Sequence, residues 1–342
     1  MKLSAIILLL ILSLSKSLKA QHFELKLLST DKNSGLRGLS VVDNKTAWVS
    51  GSNGQVGKTL DAGQSWIWVS PPGFEKLDFR DIEAFDDKRA VIVNAGSPAY
   101  ILKTENGGES WEQVYINTSP DIFLDGMEFW DENNGIIFGD PINNKMPLLI
   151  THDGGKNWES ISHQLNFEFS EGEAGFAASG TSIRMQSKGH VWIGTGGKVS
   201  NIYYSKNYGK SWTKYPCPIW QGENSTGIFS LAFASAKKGI VVGGNYLKDK
   251  ENPNNILLTK NGGKTWFKPV VPVNGYRSAV EYIGNKIWVS TGSSGTDYSI
   301  DDGMTWVNIS KQNFNTIKKA KNGNLILLTG PNGRISQLIK KN

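Results

Sequence analysis

The arginines of this 342-residue chain are spaced in a way that could bind an anion. The chain contains only six arginines, and Arg37, Arg80 and Arg277 each hold the second position of a similar segment: LRGLSVVD, FRDIEAFD and YRSAVEYI. If these segments are equivalent strands, the three guanidinium groups lie on one ring. There they could hold a planar anion such as a carboxylate through paired hydrogen bonds.

Acidic residues occur in the same segments and leave a second interpretation open. Asp125 holds the second position of LDGMEFWD, Asp140 follows a strand-like run, and Arg184 lies three places further along its own segment. The candidate ligand-binding set is therefore Arg37, Arg80, Arg184, Arg277, Asp125 and Asp140. The alternative is internal ion pairing, in which these arginines are neutralised by Asp81, Asp125, Glu83, Glu128 and Glu281.

A second group of polar residues recurs in an eight-residue unit, [Ser/Thr]-x-[Asp/Asn]-x-Gly-x-[Ser/Thr/Asn]-Trp. Its six copies carry, at the third position, Asp61, Asn106, Asp153, Asn207, Asn261 and Asp301. Half of these are Asn, which cannot act as an acid or base, so we predict that they accept hydrogen bonds within a tight turn. Each unit ends in a Trp that we expect to pack between neighbouring sheets: Trp66, Trp111, Trp158, Trp212, Trp266 and Trp306.

The segments between these turns read as short strands. Runs rich in Val, Ile and Trp end in Gly at positions 51, 96, 139, 196, 244, 292 and 330. Each follows one of seven segments that start at 36, 79, 124, 180, 228, 276 and 314. Four strands per repeat of about 40–50 residues are typical of a propeller blade. We predict an all-β, seven-bladed β-propeller with four-stranded antiparallel blades, the last closed by the N-terminal strand at residues 23–28.

The N-terminal residues predict export. Lys2 precedes an apolar run at residues 5–14 that is too short to span a bilayer, which is typical of a secretory signal peptide. A retained membrane anchor is the alternative. We assign residues 1–20 to the signal and 21–342 to one propeller domain, periplasmic or secreted, monomeric, and without a membrane span after cleavage.

Composition and motifs argue against several other classes. Without residues 1–20, 34 Lys and Arg face 31 Asp and Glu, so the charge gives no indication of nucleic-acid binding. Cys217 is the only cysteine and the four histidines are dispersed, so neither a disulfide nor a metal site is expected. No Gly-x-Gly-x-x-Gly follows a strand and opens a helix, so we expect no nucleotide cofactor.

The repeated unit is similar to the Asp-box, or BNR, repeat of sialidases and other exported propellers. The dense turns and short blades look most like the photosystem II stability/assembly factor-like proteins. The stretches GIIFGDP (135–141) and GEAGFAASGTSI (172–183) resemble their non-photosynthetic bacterial relatives. This resemblance implies a non-enzymatic scaffold that binds a protein, peptide or glycan of the cell envelope or exterior. We place the binding site on the face opposite the turns, where the long connections at 139–148, 162–182 and 243–255 meet.

The more distant likeness to sialidases implies the alternative, a glycoside hydrolase. Three arginines would hold a sugar carboxylate, and a Tyr–Glu pair would supply the nucleophile. The candidate catalytic residues are Asp81, Asp125, Glu173, Tyr276 and Glu281, with Tyr298 as a second possible tyrosine. The sialidase motif has Pro two residues after its first arginine, where this chain has Leu39, so the match is incomplete.

Overall fold

The computed structural model describes residues 22–30 and 32–341, whose strands form seven sheets. The predicted signal peptide, residues 1–20, lies outside the described residues. The described part contains one short 3-10 helix, Ser162–Gln164, and none of its helices is long and apolar enough to cross a membrane.

The first four sheets follow the predicted repeats and are given from the inner to the outer strand. Blade 1 consists of Leu36–Val41, Ala47–Gly51, Val56–Thr59 and Ile67–Trp68. Blade 2 consists of Phe79–Ala84, Ala90–Asn94, Ala99–Thr104 and Glu112–Asn117. Blade 3 consists of Leu124–Phe129, Gly135–Gly139, Leu148–Thr151 and Glu159–Ser160. Blade 4 consists of Ile183–Gln186, His190–Gly194, Asn201–Ser205 and Thr213–Pro216.

The last three blades complete the ring. Blade 5 consists of Thr226–Phe233, Gly239–Asn245 and Ile256–Thr259, with Phe267 bridged to Leu258 in the fourth place. Two short strands, Gly196–Gly197 and Glu173–Ala174, extend the inner edge of its sheet. Blade 6 consists of Ala279–Gly284, Ile287–Gly292, Gly295–Ser299 and Val307–Ser310. Blade 7 consists of Thr316–Lys319, Ile326–Thr329, Ile335–Lys341 and His22–Ser29. Each inner strand contacts the inner strands of the two adjacent blades, which closes the ring and confirms the seven-bladed propeller.

The N-terminal strand closes blade 7, as predicted. His22–Ser29 pairs antiparallel with Ile335–Lys341, from His22 opposite Lys341 to Ser29 opposite Ile335. This pairing covers the outer edge of the C-terminal strand, which would otherwise leave its backbone hydrogen-bonding groups open. Phe23 and Leu25 pack against the apolar cluster shared by blades 6 and 7.

All six eight-residue turns have the same hydrogen bonds. In the first, Gly63 N–H donates to Thr59 Oγ1 over 2.9 Å, and Ser65 N–H donates to Asp61 Oδ1 over 2.9 Å. The same two bonds recur where the third residue is Asn, as Ser110 N–H donates to Asn106 Oδ1 over 3.0 Å. A carboxylate and a carboxamide oxygen accept equally well here, which explains why the sequence alternates between Asp and Asn.

The turn glycine has a packing role in addition to its conformational one. Gly108 has φ +87°, and a Cβ placed on it would lie 2.6 Å from Val69 of blade 1. Gly303 would likewise meet Ile240 of blade 5 at 2.4 Å. The turn thus presses its backbone onto the preceding blade. The Trp residues of the turns contribute at the same seam, for example Trp111, whose ring lies edge-on to Trp48 of blade 1 at 6.4 Å.

Candidate functional site

A cavity of about 580 Å³ opens at the end of the central channel where the inner strands begin. We call it the mouth cavity. All three long connections contribute to its wall: Asp140 comes from the first, Ala174–Ala178 from the second and Tyr246 from the third. None of the eight-residue turns lines it.

β-Bulges at the start of four inner strands present side chains to this cavity. In blade 1, Leu36 pairs with Gly51 and Gly38 with Ser50, so Arg37 is the extra residue of the bulge. The same shift in strand pairing leaves three further residues without a partner on the second strand: Arg80 in blade 2, Asp125 in blade 3 and Phe229 in blade 5. All four bulged residues line the mouth cavity. A bulge changes the direction of a side chain relative to the regular alternation between the two faces of a sheet. The bulges therefore explain why all four side chains face the mouth cavity.

The floor of the cavity is a stretch of small residues, 174–182, that we call the channel segment. It precedes the inner strand of blade 4 and crosses the channel to reach blades 5, 6 and 7. Thr181 Oγ1 donates to Ser230 Oγ over 2.7 Å, Ser179 Oγ donates to the Ser278 carbonyl over 2.7 Å, and Thr316 Oγ1 donates to the Ser179 carbonyl over 3.1 Å. Part of the connection that was predicted to lie on the face opposite the turns is therefore buried inside the ring.

Two of the predicted arginines, Arg37 and Arg80, lie together in the mouth cavity. Arg37 Nη1 donates to the Ala178 carbonyl over 2.8 Å and forms no ion pair with any described residue. Arg80 Nε donates to Asp78 over 2.7 Å, and its side chain is 33% exposed. Burial and, after it, the nearby Arg80 lower the pKa of Arg37, while Tyr276 and Asp78 act in the opposite direction. An anionic ligand would place a counter-charge next to Arg37.

Arg277 does not reach the cavity, which corrects the expectation of a three-arginine ring. Its side chain is fully buried, and Nε donates to Asp297 Oδ2 over 3.0 Å on the third strand of the same blade. The inner strand of blade 6 begins only at Ala279 and has no bulge at position 277. The Arg277 side chain therefore lies within its own blade. Arg277 is therefore ion-paired internally, but its partner is Asp297 and none of the five carboxylates that the sequence suggested.

Arg184 also lies elsewhere, near the opposite end of the channel. It forms ion pairs with Glu281 at 2.5 Å and with Glu128 at 3.7 Å, while Lys318 approaches Glu128 at 3.3 Å. These groups line a separate cavity of about 250 Å³ together with the later residues of the inner strands. Because two partly buried carboxylates neutralise its charge at the other cavity, Arg184 is not available to a ligand in the mouth cavity.

Asp125 and Asp140 form an acidic pair beside the arginines. Asp125 is 2% exposed, and burial together with Asp140 raises its pKa well above the usual value. Burial also raises the pKa of Asp140, which accepts a hydrogen bond from Gly175 N–H over 2.8 Å. The raised pKa values favour the protonated, neutral form of both carboxyl groups, and a protonated carboxyl group can donate as well as accept a hydrogen bond.

The other candidate catalytic residues do not converge. Asp81 is buried and accepts from Ile82 N–H and Met127 N–H, which joins blades 2 and 3. Glu173 has a fully buried side chain and accepts from Thr195, Asn201 and Tyr203. Tyr276 lines the mouth cavity whereas Glu281 lines the opposite one, so the Tyr–Glu pair is not formed. Tyr298 packs edge-on against Phe23 at 5.0 Å, away from both cavities.

The sequence indicates Tyr246 and Tyr276 as aromatic residues near the binding loops, but it does not identify the phenylalanines of the site. Phe123, Phe176 and Phe229 line the mouth cavity beside these two tyrosines. Phe176 stacks on Phe229 with ring centres 3.9 Å apart. Phe229 could have been found, because it holds the same second position in its segment as Arg37 and Arg80. Phe176 could not, since it belongs to a connection that has no repeat to align with.

Comparisons with known proteins agree with this architecture. No family model matches the chain. It is 22% identical over 293 residues to the chloroplastic photosystem II stability/assembly factor HCF136 of Arabidopsis thaliana, which covers 70% of this chain and 68% of that protein. It is also 22% identical to the photosystem II assembly lipoprotein Ycf48 of a Synechococcus strain, over 78% of this chain and 73% of that protein.

A solved structure described as YCF48 bound to D1 peptide superimposes with a TM-score of 0.67 over 93% of this chain and 97% of that chain, at 16% identity. The chain is homologous to the photosystem II stability/assembly factors. These relatives are assembly factors and not enzymes. The two sequence matches cover 70% and 78% of this chain.

Proposed function

We propose that this chain is a non-enzymatic scaffold that binds a segment of a partner protein in the mouth cavity. The observation that carries the proposal is Arg37, which lies beside Arg80 and forms no ion pair with any described residue. A partly buried guanidinium group that forms no ion pair is stabilised when a ligand carboxylate forms charge-assisted hydrogen bonds with it.

The chemistry of the wall favours an acidic or carboxylate-ended peptide. Arg37 and Arg80 would bind its carboxylate, while the aromatic side chains of Phe229, Tyr246 and Tyr276 would contact its apolar groups. A related protein, Ycf48, has been solved with a D1 peptide, which supports a peptide ligand over a small molecule. For this chain we extend the proposal to an exported monomer whose partner is an envelope or extracellular protein, with a glycan as the alternative ligand.

Fluorescence anisotropy with labelled peptides tests the proposal. The probes are an eight-residue Glu/Ala peptide with a free C-terminal carboxylate, its amidated form, and an uncharged peptide of equal length. We expect Arg37→Gln/Arg80→Gln to weaken binding of the acidic peptides at least about tenfold, since two charge-assisted hydrogen bonds are lost. Arg277 is left intact because its ion pair with Asp297 is structural.

The matched control is Lys88→Gln/Lys156→Gln, which removes the same charge from exposed positions on the side of the eight-residue turns, outside the mouth cavity. This variant should bind like the unmodified protein.

Pull-down from an envelope fraction with the same two variants tests whether the mouth cavity binds a natural partner. Equal recovery of partners by both variants would contradict the assignment of the site. Turnover of a fluorogenic sialoside or other glycoside would instead support the hydrolase alternative.

A further inference from the structure

A second, separate concave surface lies between blades 4 and 5. It is a groove of about 540 Å³ lined by four lysines: Lys206, Lys237, Lys260 and Lys264. We call it the lysine groove. Its lysines come from the eight-residue turns of the two blades and from the turn after the inner strand of blade 5, and strands of blade 4 contribute His190, Tyr204, Thr213 and Tyr215. None of these residues lines the mouth cavity.

The lysines of this groove differ from their neighbours in having no acidic partner. No Asp or Glu lines the groove, and none of its four lysines forms an ion pair with any described residue. Nearby Lys214 and Lys238, in contrast, pair with Glu173 at 3.6 Å and with Asp302 at 2.9 Å. Four exposed positive charges are thus concentrated on one concave surface, which attracts a ligand with several negative charges.

The floor of the groove is held in place by buried contacts. Trp192, which is fully buried, donates from Nε1 to the Gly262 carbonyl over 3.0 Å and so joins blade 4 to the turn of blade 5. Gly262 N–H donates to the Lys237 carbonyl over 2.8 Å, which fixes the two turns of blade 5 to each other. The shape of the groove therefore does not depend on its lysine side chains.

We propose that the lysine groove binds an acidic polysaccharide, a chain of sugars carrying carboxylates. Lysine ammonium groups from three turns suit charges that recur along a polymer, and Ser211, Thr213 and Asn261 offer hydrogen bonds to sugar hydroxyls. Tyr215 supplies an aromatic surface on which a sugar ring can pack. Every carboxylate of a polyuronate is accompanied by sugar hydroxyls, so a groove that combines lysines with uncharged hydrogen-bonding groups fits this polymer better than a simple polyanion.

Binding to immobilised alginate, a polyuronate, tests the proposal with the full chain. We expect salt-sensitive binding to alginate and none to neutral dextran. Lys206→Gln/Lys237→Gln/Lys260→Gln/Lys264→Gln should weaken alginate binding about tenfold, as expected for several exposed charge pairs lost together. The control, Lys76→Gln/Lys88→Gln/Lys145→Gln/Lys311→Gln, removes the same charge from exposed positions elsewhere and should retain binding.

Further binding experiments distinguish an acidic polysaccharide from other polyanions. Tyr215→Ser should weaken alginate binding while leaving binding to polyglutamate, which has no sugar ring, unchanged. Equal loss in the two four-lysine variants would overturn the proposal, because it would show that only net charge matters. Tighter binding to single-stranded DNA or to phosphatidylglycerol vesicles than to alginate would also overturn it. The mouth-cavity variant Arg37→Gln/Arg80→Gln should bind alginate normally, so failure of one site is distinguishable from failure of the other.

Discussion

Asp125 shows how the surroundings of one side chain couple the candidate site to pH. It lies against the channel segment, with Asp140 and Arg80 as its charged neighbours. Because its pKa is raised in the folded protein, the folded state keeps a proton that the unfolded state releases above about pH 4. The stability contributed by this carboxyl is complete below that pH and is lost as the pH rises through the folded-state pKa.

We therefore predict that Asp125→Asn makes the protein less sensitive to rising pH. An amide of the same shape is neutral at every pH, so the variant avoids the cost of burying a charge. Relative to the unmodified protein its free energy of unfolding should rise by about 1.4 kcal/mol per pH unit between pH 4 and the folded-state pKa of Asp125. Urea unfolding at pH 4, 6 and 8 measures this. Asp121→Asn, at an exposed position, is the control; parallel pH profiles for the two variants would contradict the prediction.

For the aspartate at the third position of an eight-residue turn, we predict that stability changes with pH in the opposite direction. Hydrogen bonds from Ser65 and Thr59 lower the pKa of Asp61 to about 2. The stability that Asp61 contributes is present above about pH 4 and is lost as the pH falls through about 2. Asp61→Asn should be nearly neutral at pH 7, because Asn106 makes the equivalent bonds to Ser110. Asp61→Ala should cost about 1 kcal/mol in urea unfolding; an equal cost for both variants would argue against the shared turn geometry.

In the eight-residue turns, we expect the glycines to contribute more to stability through packing against the preceding blade than through their backbone conformation. Gly108 and Gly73 have nearly the same φ, +87° and +86°, but a Cβ at Gly108 would meet Val69 at 2.6 Å whereas one at Gly73 would meet nothing within 4 Å. We expect Gly73→Ala to cost about 1 kcal/mol from the positive φ alone. Gly108→Ala should cost about 1–3 kcal/mol more, because the blades must move apart. Thermal unfolding of the two variants measures the difference, and similar melting temperatures would contradict it.

The sequence predicts the blades of the propeller, but it does not predict the channel segment. The strands and the turns repeat, so each copy supports the others, and blades 1 to 7 were predicted in order. The channel segment has no repeat and no hydrophobic periodicity; its Gly, Ala, Ser and Thr residues acquire their role from contacts with Ser230, Ser278 and Thr316, which are distant in sequence. For the same reason Arg277 could not be told apart from Arg37. Both arginines hold the second position of their segment. They differ only in their surroundings, which are the bulge in blade 1 for Arg37 and the carboxylate of Asp297 in blade 6 for Arg277.

At the scale of the whole molecule, the propeller separates two kinds of surface. Inner strands begin at the mouth cavity, where bulges, long connections and unpaired charge occur together. They end near the ion-paired network of Arg184, Glu128 and Glu281. The repeated turns keep the blades in register, so the connections of the mouth can vary without disturbing the ring. This division explains why six nearly identical turns accompany three unlike connections.

The ring as a whole depends on its closure in blade 7, which joins residues about 310 positions apart. Leu25 is partly buried against the cluster of blades 6 and 7, whereas Leu27 of the same strand is 55% exposed. We expect Leu25→Ser to lower the free energy of unfolding by about 1–2 kcal/mol, less than for a fully buried leucine, and Leu27→Ser to change it by under about 0.5 kcal/mol. Because an opened blade 7 exposes the edge of Ile335–Lys341, Leu25→Ser should also form concentration-dependent oligomers on mild heating. Thermal unfolding and light scattering test both effects; equal behaviour of the two variants would show that the ring does not rely on this strand.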